Sequence, residues 1–168
     1  NKFNIIKKGD IVLDLGAAPG GWSQIALDKV GEEGLVIGVD LQRIKPMEGN
    51  NFIGITGDFT SEETVEEIFE ITGRKVDIIL SDASPKLSGV KDVDQVRALD
   101  LALGVLKISG LILKSHGSLI MKAFQGEEFE TLLKEIKKEF KIVKTTKPPS
   151  SRKKSVEMYV VAKNKVNI

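Results

Sequence analysis

The stretch Ile11-Val12-Leu13-Asp14-Leu15-Gly16-Ala17-Ala18-Pro19-Gly20-Gly21-Trp22 decides the fold. Ile11, Val12, Leu13 and Leu15 form a short apolar run, the pattern of a central parallel strand covered on both faces. Gly16, Gly20 and Gly21 let the backbone turn tightly and come close to a ligand with no side chain in the way. The helix that follows directs free N–H groups and the positive end of its dipole at the same place. A strand, a glycine turn and a helix in this order predict the ligand site of a Rossmann-like sheet.

Working outward, the spacing predicts a helix over 21–30 with Trp22, Ile25, Ala26 and Val30 as its apolar positions. Apolar runs predict strands over 35–40, 51–56 and 76–80. Thr60 or Ser61 can cap a helix whose apolar face is Val65, Ile68, Phe69 and Ile71. A long helix is expected over 92–114 and a fifth strand over 117–124, with His116 in the turn between them. An amphipathic helix over 127–140 turns Phe129, Leu132, Leu133 and Ile136 inward. Strands over 141–146 and 156–162 flank a basic loop, 147–155, where Pro148 and Pro149 bar regular structure. With no helix between them, these two strands should pair antiparallel. The expectation is an α/β, mostly parallel sheet of about seven strands with an antiparallel C-terminal hairpin, helices on both faces, in one domain spanning residues 1–168.

A chain of 168 residues with 41% hydrophobic and 29% charged residues has the length and composition of one globular domain. It has no cysteine and one histidine, so a disulfide, a thiolate metal site or a histidine cluster is excluded. No apolar run reaches the roughly 20 residues of a membrane span, and no signal peptide is visible. A cytoplasmic monomer is expected. The net charge of +1 hides an asymmetry: residues 134–168 carry eleven Lys/Arg against three Glu, and the rest of the chain is net acidic. A basic end on an acidic body points to a polyanion that meets one face.

A dinucleotide turn would read G-x-G-x-x-G. Here Gly16-Ala17-Ala18-Pro19-Gly20-Gly21 displaces the second glycine and inserts a proline, which argues against NAD or FAD. A phosphate-binding G-K-[ST] fails because Trp22-Ser23 follows Gly21. Three acids follow three successive strands instead. Asp40 is placed to accept both ribose hydroxyls of an adenosine, Asp58 to accept an adenine amino group, and Asp82 to meet the ligand at the centre of the sheet.

Asp14-Leu15-Gly16-Ala17-Ala18-Pro19-Gly20-Gly21-Trp22-Ser23-Gln24 resembles the S-adenosylmethionine motif of the FtsJ/RrmJ (RlmE-type) family of RNA ribose 2′-O-methyltransferases. The likeness continues through Gly57-Asp58-Phe59, Ser81-Asp82-Ala83-Ser84-Pro85, Met121-Lys122-Ala123-Phe124-Gln125-Gly126 and the run from Pro149 to Tyr159. It spans nearly the whole chain, in order. It implies the Rossmann-like SAM-methyltransferase fold, S-adenosylmethionine as cofactor, no metal, and methylation of a uridine ribose in large-subunit ribosomal RNA.

Methylating a ribose 2′-hydroxyl is an in-line attack of oxygen on a sulfonium methyl. The site must loosen the hydroxyl proton and align oxygen, carbon and sulfur. The resemblance makes Lys122 the catalytic lysine and proton acceptor, Asp82 its neighbour shared with the cofactor, and Glu157 the second carboxylate that orients lysine or ribose. Neighbouring carboxylates favour an ammonium form and oppose its use as a base. Lys122 is therefore expected to act mainly by orienting and polarising the hydroxyl, with proton loss late. Gly16, Gly20, Gly21, Trp22, Asp40, Asp58 and Asp82 are the expected cofactor contacts, Trp22 by stacking. Arg152, Lys153 and Lys154 are the expected contacts to the RNA backbone, which position a substrate and carry no base identity.

The family's site is a Lys-Asp-Lys-Glu tetrad whose first lysine lies in a segment resembling S-R-A-x-x-[FY]-K-L. This sequence begins too close to Asp14 to contain that segment, and Lys2, Lys7 and Lys8 sit in a different context and take no such role. His116 is read as a loop residue, and Phe52, Phe69, Phe129 and Phe140 as core. The alternatives are the same chemistry on tRNA or an mRNA cap, a noncatalytic SAM- or RNA-binding module, and a nucleotide-dependent oxidoreductase, which the glycine spacing disfavours.

Overall fold

The computed structural model describes residues 1–147 and 157–167. A 3-10 turn, Lys2–Ile5, leads into β1 (Ile11–Leu15), α1 (Gly21–Val30), β2 (Leu35–Asp40), β3 (Phe52–Thr56), α2 (Glu62–Thr72) and β4 (Val76–Ser81). Then come α3 (Lys91–Ile112), β5 (Leu113–Phe124), α4 (Phe129–Glu139), β6 (Phe140–Thr146) and β7 (Glu157–Lys165). The seven strands form one sheet in the order β3-β2-β1-β4-β5-β7-β6. The first five strands are parallel; β7 pairs antiparallel with both β5 and β6. The order reverses at β1/β4, where open α/β sheets bind ligands beyond the strand ends.

Alternation along the strands separates two cores. Leu13, Leu15, Ile37, Val39 and Ile79 face a core with residues of α2, α3 and α4. Val12, Val36, Ile78, Leu80, Ile120 and Val161 face a second core closed by α1 and by Phe3 and Ile6. Burial on both faces explains why β1, β2 and β4 read as unbroken apolar runs. At the sheet's edge, β6 is largely exposed, and lysines such as Lys141 and Lys144 blunt it. Ser61 is the cap of α2, accepting from the Thr64 N–H. Phe140 is buried, and Phe52, Phe69 and Phe129 are partly buried against the cores, as their spacing suggested. No helix among the described residues is long and apolar enough to cross a membrane.

Two local expectations are corrected. On α1, Ile25 is exposed, and the buried face is Ser23, Ala26, Leu27 and Val30. The Ser23 hydroxyl donates to Asp14 Oδ2 at 2.7 Å, which sets the rotation of the helix over β1. The fifth strand starts at Leu113, four residues earlier than expected, because α3 runs straight into it. His116 is thus inside β5, at a register shift against β4, with φ 68°. There Nδ1 meets Asn164 Oδ1 at 2.6 Å. The calls on Arg152, Lys153 and Lys154 lie outside the described residues.

Candidate active site

The C-terminal ends of β1 to β4 surround a cavity of about 670 Å³, walled by Gly16, Ala18, Asp40, Asp58, Asp82 and Pro85 among others. That volume is within the range that holds a nucleoside-sized ligand, roughly 300–1,000 Å³. The glycine turn is tied to the neighbouring strand: the N–H groups of Gly16 and Ala17 both donate to the Val39 carbonyl, at 2.8 and 3.1 Å. Gly16 has φ 74°, and a Cβ there would stand 2.9 Å from Ala83 Cα. Only glycine lets the β1 and β4 loops approach this closely.

The three acids meet around this cavity, as the strand ends suggested. Asp40 accepts the Ala18 N–H on Oδ2 at 2.9 Å and the Gln42 N–H on Oδ1 at 2.8 Å. Each oxygen keeps a lone pair for a ligand hydroxyl. Asp58 accepts the Thr60 hydroxyl at 2.6 Å and the Thr60 N–H at 2.9 Å on one oxygen. These bonds hold its carboxyl below the usual range. Its other oxygen has no donor among the described residues. Gly20, Gly21 and Trp22 stand outside the cavity wall. Gly20, at φ 130°, is the N-cap of α1.

Trp22 packs elsewhere. Its ring meets Phe3 edge-on at 5.2 Å and Tyr159 at 5.6 Å. Lys2 Nζ lies 4.2 Å from the Tyr159 ring centroid, 4.6 Å from Phe3 and 5.5 Å from Trp22. Burial lowers the pKa of Lys2, and the charge of Asp82 opposes that shift. Sequence reasoning gave Lys2 no role. Lys2 meets its neighbour Phe3 together with Trp22 and Tyr159, which lie far from it in the chain, and this leaves no periodic trace.

Lys122, near the C-terminal end of β5, reaches Asp82 just beyond β4, with Nζ 3.3 Å from Oδ1. The lysine side chain is 10% exposed and the aspartate 38%, so the pair faces the open end of the sheet from a nearly covered stem. Asp82 also walls the large cavity, so one carboxylate touches both halves of the site. On β7, Tyr159 is directly opposite Lys122 and Glu157 is opposite Phe124. Lys122 and Glu157 are thus diagonal neighbours on one face, within reach of long side chains. The ion pair that Lys122 makes among the described residues is with Asp82.

A further acid, given no role in the sequence reading, lies two residues before the glycine turn. Asp14 is fully buried inside β1, and its Oδ1 has no partner among the described residues. Burial pushes its carboxyl up to about 7; the Ser23 hydroxyl opposes this, and the charges of Asp82 and Asp40 add to it. The signal was an acid inside an apolar strand. A glycine cradle and carboxylates on three strand ends around one cavity together fit an adenosine-bearing cofactor.

Comparison with known proteins agrees with this geometry. The chain is 59% identical over 160 residues to ribosomal RNA large subunit methyltransferase E of Methanobrevibacter smithii, covering 95% of this chain and 76% of that protein. It is 55% identical to the same enzyme of Methanothermobacter thermautotrophicus, covering 98% and 78%. A Plasmodium falciparum protein assigned as a ribosomal RNA methyltransferase superposes with a TM-score of 0.87 at 30% identity, covering 100% and 93% of the two chains. Aeropyrum pernix fibrillarin, solved with bound S-adenosyl-L-methionine, shares the fold with a TM-score of 0.66 at 20% identity, over 94% and 67%. The family model described as FtsJ-like methyltransferase matches residues 1–165, so a likeness first read from a glycine turn and a few strand ends extends along the sheet to β7, and the chain belongs to that family.

Proposed function

We propose that this chain transfers a methyl group from S-adenosylmethionine to a ribose 2′-hydroxyl of large-subunit ribosomal RNA, on a uridine. The observation that carries the reading is Asp82, which walls the cofactor-sized cavity and stands 3.3 Å from Lys122 Nζ. A carboxylate in that position brings a donor site and a nucleophile site to within one side chain of each other. The substrate class is supported by the relatives' activity on large-subunit ribosomal RNA and by the basic C-terminal part of the chain. A cytoplasmic site of action accords with that substrate.

Asp40 would accept the cofactor's ribose hydroxyls and Asp58, through its free oxygen, the adenine amino group. Gly16 and Ala18 leave room for the cofactor against the turn. When bound, the cofactor supplies an electrophilic sulfonium methyl. Lys122 holds the ribose 2′-oxygen and polarises its O–H, while Asp82 holds the lysine. The ion pair with Asp82 fixes the position of Nζ, so Lys122 works chiefly through orientation, with the proton leaving the oxygen late, to solvent. Glu157, on the same face, steadies the ribose or the lysine. Arg152, Lys153 and Lys154 supply backbone contacts.

The test is methylation of ribosomal subunits with labelled cofactor, followed by nucleotide mapping. A single ribose 2′-O-methyl mark, lost in Lys122→Ala with cofactor affinity retained, is expected. A label found on a base would overturn the assignment.

A further inference from the structure

Beside Lys122 there is a second, smaller opening that the reaction so far does not use. It lies between the β4 loop, the N-terminal half of α3 and the end of β5, and it is lined by Pro85, Leu87, Gln95, Ala98, Phe124 and Gln125, with Lys91 and Asp94 at its margin. Its volume is about 220 Å³. That is below the roughly 300–1,000 Å³ of a site for a whole ligand. It is the size for one ring.

The opening joins the active site at two points. Pro85 walls both this groove and the large cavity. Phe124 walls the groove, and its ring centroid is 5.9 Å from Lys122 Nζ. The groove therefore starts where the ribose hydroxyl must sit. Its chemistry is mixed in a specific way: an aromatic ring and aliphatic groups, with two primary amides that each donate and accept. Gln95 is packed close to Gly126, where a Cβ would stand 2.6 Å from Nε2, so the amide is placed by the turn after β5.

The outer rim is also fixed. Asp94 accepts the Ser88 N–H at 2.7 Å, the Ser88 hydroxyl at 2.8 Å and the Gly89 N–H at 3.2 Å. Arg97 donates to the Lys86 carbonyl at 3.3 Å. These bonds hold the loop that carries the exposed Leu87 against α3.

We infer that this groove seats the base of the nucleotide being methylated, with Phe124 as the stacking surface and the Gln95 and Gln125 amides meeting the base's polar edge. The inference rests on the ribose reading above. The base hangs from the carbon next to the one bearing the 2′-hydroxyl, so a hydroxyl held at Lys122 leaves the base within one side-chain length. Bases splayed out of single-stranded RNA are bound in this manner, by stacking together with hydrogen bonds along their edges. An aromatic ring accepts any base; the paired amides would add the preference.

The experiment uses two RNAs identical except that one carries an abasic nucleotide at the target, with its ribose hydroxyl intact. Each is assayed with the wild-type chain and with Phe124→Leu, which keeps an apolar side chain; calorimetry with S-adenosylmethionine checks that the variant is folded. Wild type should lose about 10-fold or more in kcat/KM on the abasic RNA, the size of one base–aromatic stack. Phe124→Leu should lose a similar factor on the normal RNA and little more on the abasic one. Gln95→Ala should lower kcat/KM on normal RNA and leave the abasic substrate unaffected. Equal methylation of the two RNAs by wild type, or the same loss in Phe124→Leu on both, would overturn the base seat while leaving the reaction intact. No ribose product from wild type on either RNA would overturn the reaction itself, and the seat with it.

Discussion

Lys122 Nζ stands 3.3 Å from Asp82 Oδ1 across the ends of two adjacent parallel strands, and the two residues come from segments forty positions apart. The contact ties the lysine proposed to be catalytic to a residue that also walls the large cavity. Lys122→Arg separates the possible roles of the lysine. Arginine keeps the positive charge but is longer, planar and never gives up a proton. Lys122→Arg should lower kcat by about 10²–10⁴-fold, the range for a misplaced proton-handling group. Cofactor affinity by calorimetry should stay within a few-fold. Retention of near-normal kcat would show that only the charge matters.

Gly16 and Gly21 are equally conspicuous in the sequence but differ in the structure. Gly16 has positive φ and backbone of Ala83 where a Cβ would go; Gly21 has open space there. Gly16→Ala should destabilise by at least about 1–3 kcal/mol, from strain alone, and should weaken cofactor binding. Gly21→Ala should leave stability unchanged or raise it by up to about 1 kcal/mol. Thermal unfolding of the two variants side by side checks the contrast.

That contrast shows what the sequence made legible. Apolar runs located β1 to β4 to within a residue, because β1, β2 and β4 are buried on both faces and β3, at the sheet's edge, keeps the β-branched and aromatic residues of a strand. The acids at Asp40, Asp58 and Asp82 were legible for the same reason: each follows such a run. Features that depend on distant packing were not. Ile25 is apolar and at helical spacing, yet it is exposed because Ser23 is drawn to Asp14. The bulge at His116 depends on α3 entering β5 without a loop. Trp22 was read as a stacking surface for the cofactor; its contacts with Phe3 at 5.2 Å and Tyr159 at 5.6 Å come from both ends of the chain and left no trace in the spacing.

Asp14 predicts a pH signature. Its carboxyl is pushed from 3.8 to about 7 in the folded chain. The fold thus favours the protonated form. The stability this contributes is full below pH 4, is lost as pH rises toward 7, and is absent above that. The loss is on the order of 4 kcal/mol for a shift of this size. Asp14→Asn cannot ionise, so its stability should fall less than that of wild type between pH 4 and 7. Urea unfolding at several pH values measures the two curves. Parallel curves would mean that Asp14 is charged throughout.

Arg152, Lys153 and Lys154 test the substrate side. Replacing all three with Ala should weaken RNA binding at low salt and leave cofactor binding alone. The slope of log K against log salt should fall by about 2, since each neutralised phosphate of a single strand contributes about 0.7. An unchanged slope would place the RNA elsewhere, and Lys141 and Lys144 on the exposed edge strand would be the next cations to replace.

Lys2 gives a signal that can be read from the single tryptophan. Its Nζ faces Tyr159, Phe3 and Trp22 together, and such contacts are worth about 0.5–2 kcal/mol when the lysine is charged. Burial nevertheless lowers its pKa, with Asp82 opposing. A lysine whose folded pKa is depressed costs stability while it is charged in the fold, and that cost is relieved as pH rises through the folded pKa. Trp22 emission should therefore change below the ordinary lysine range as the cation leaves the rings. Tyr159 does not obscure the change, because burial raises its own pKa above the usual value, with Asp82 and Glu157 adding to the shift. Lys2→Met keeps an apolar stem and removes the charge, and should abolish the transition while preserving the fold. If the same transition persists in Lys2→Met, the emission follows another group and the three rings do not hold a titrating cation.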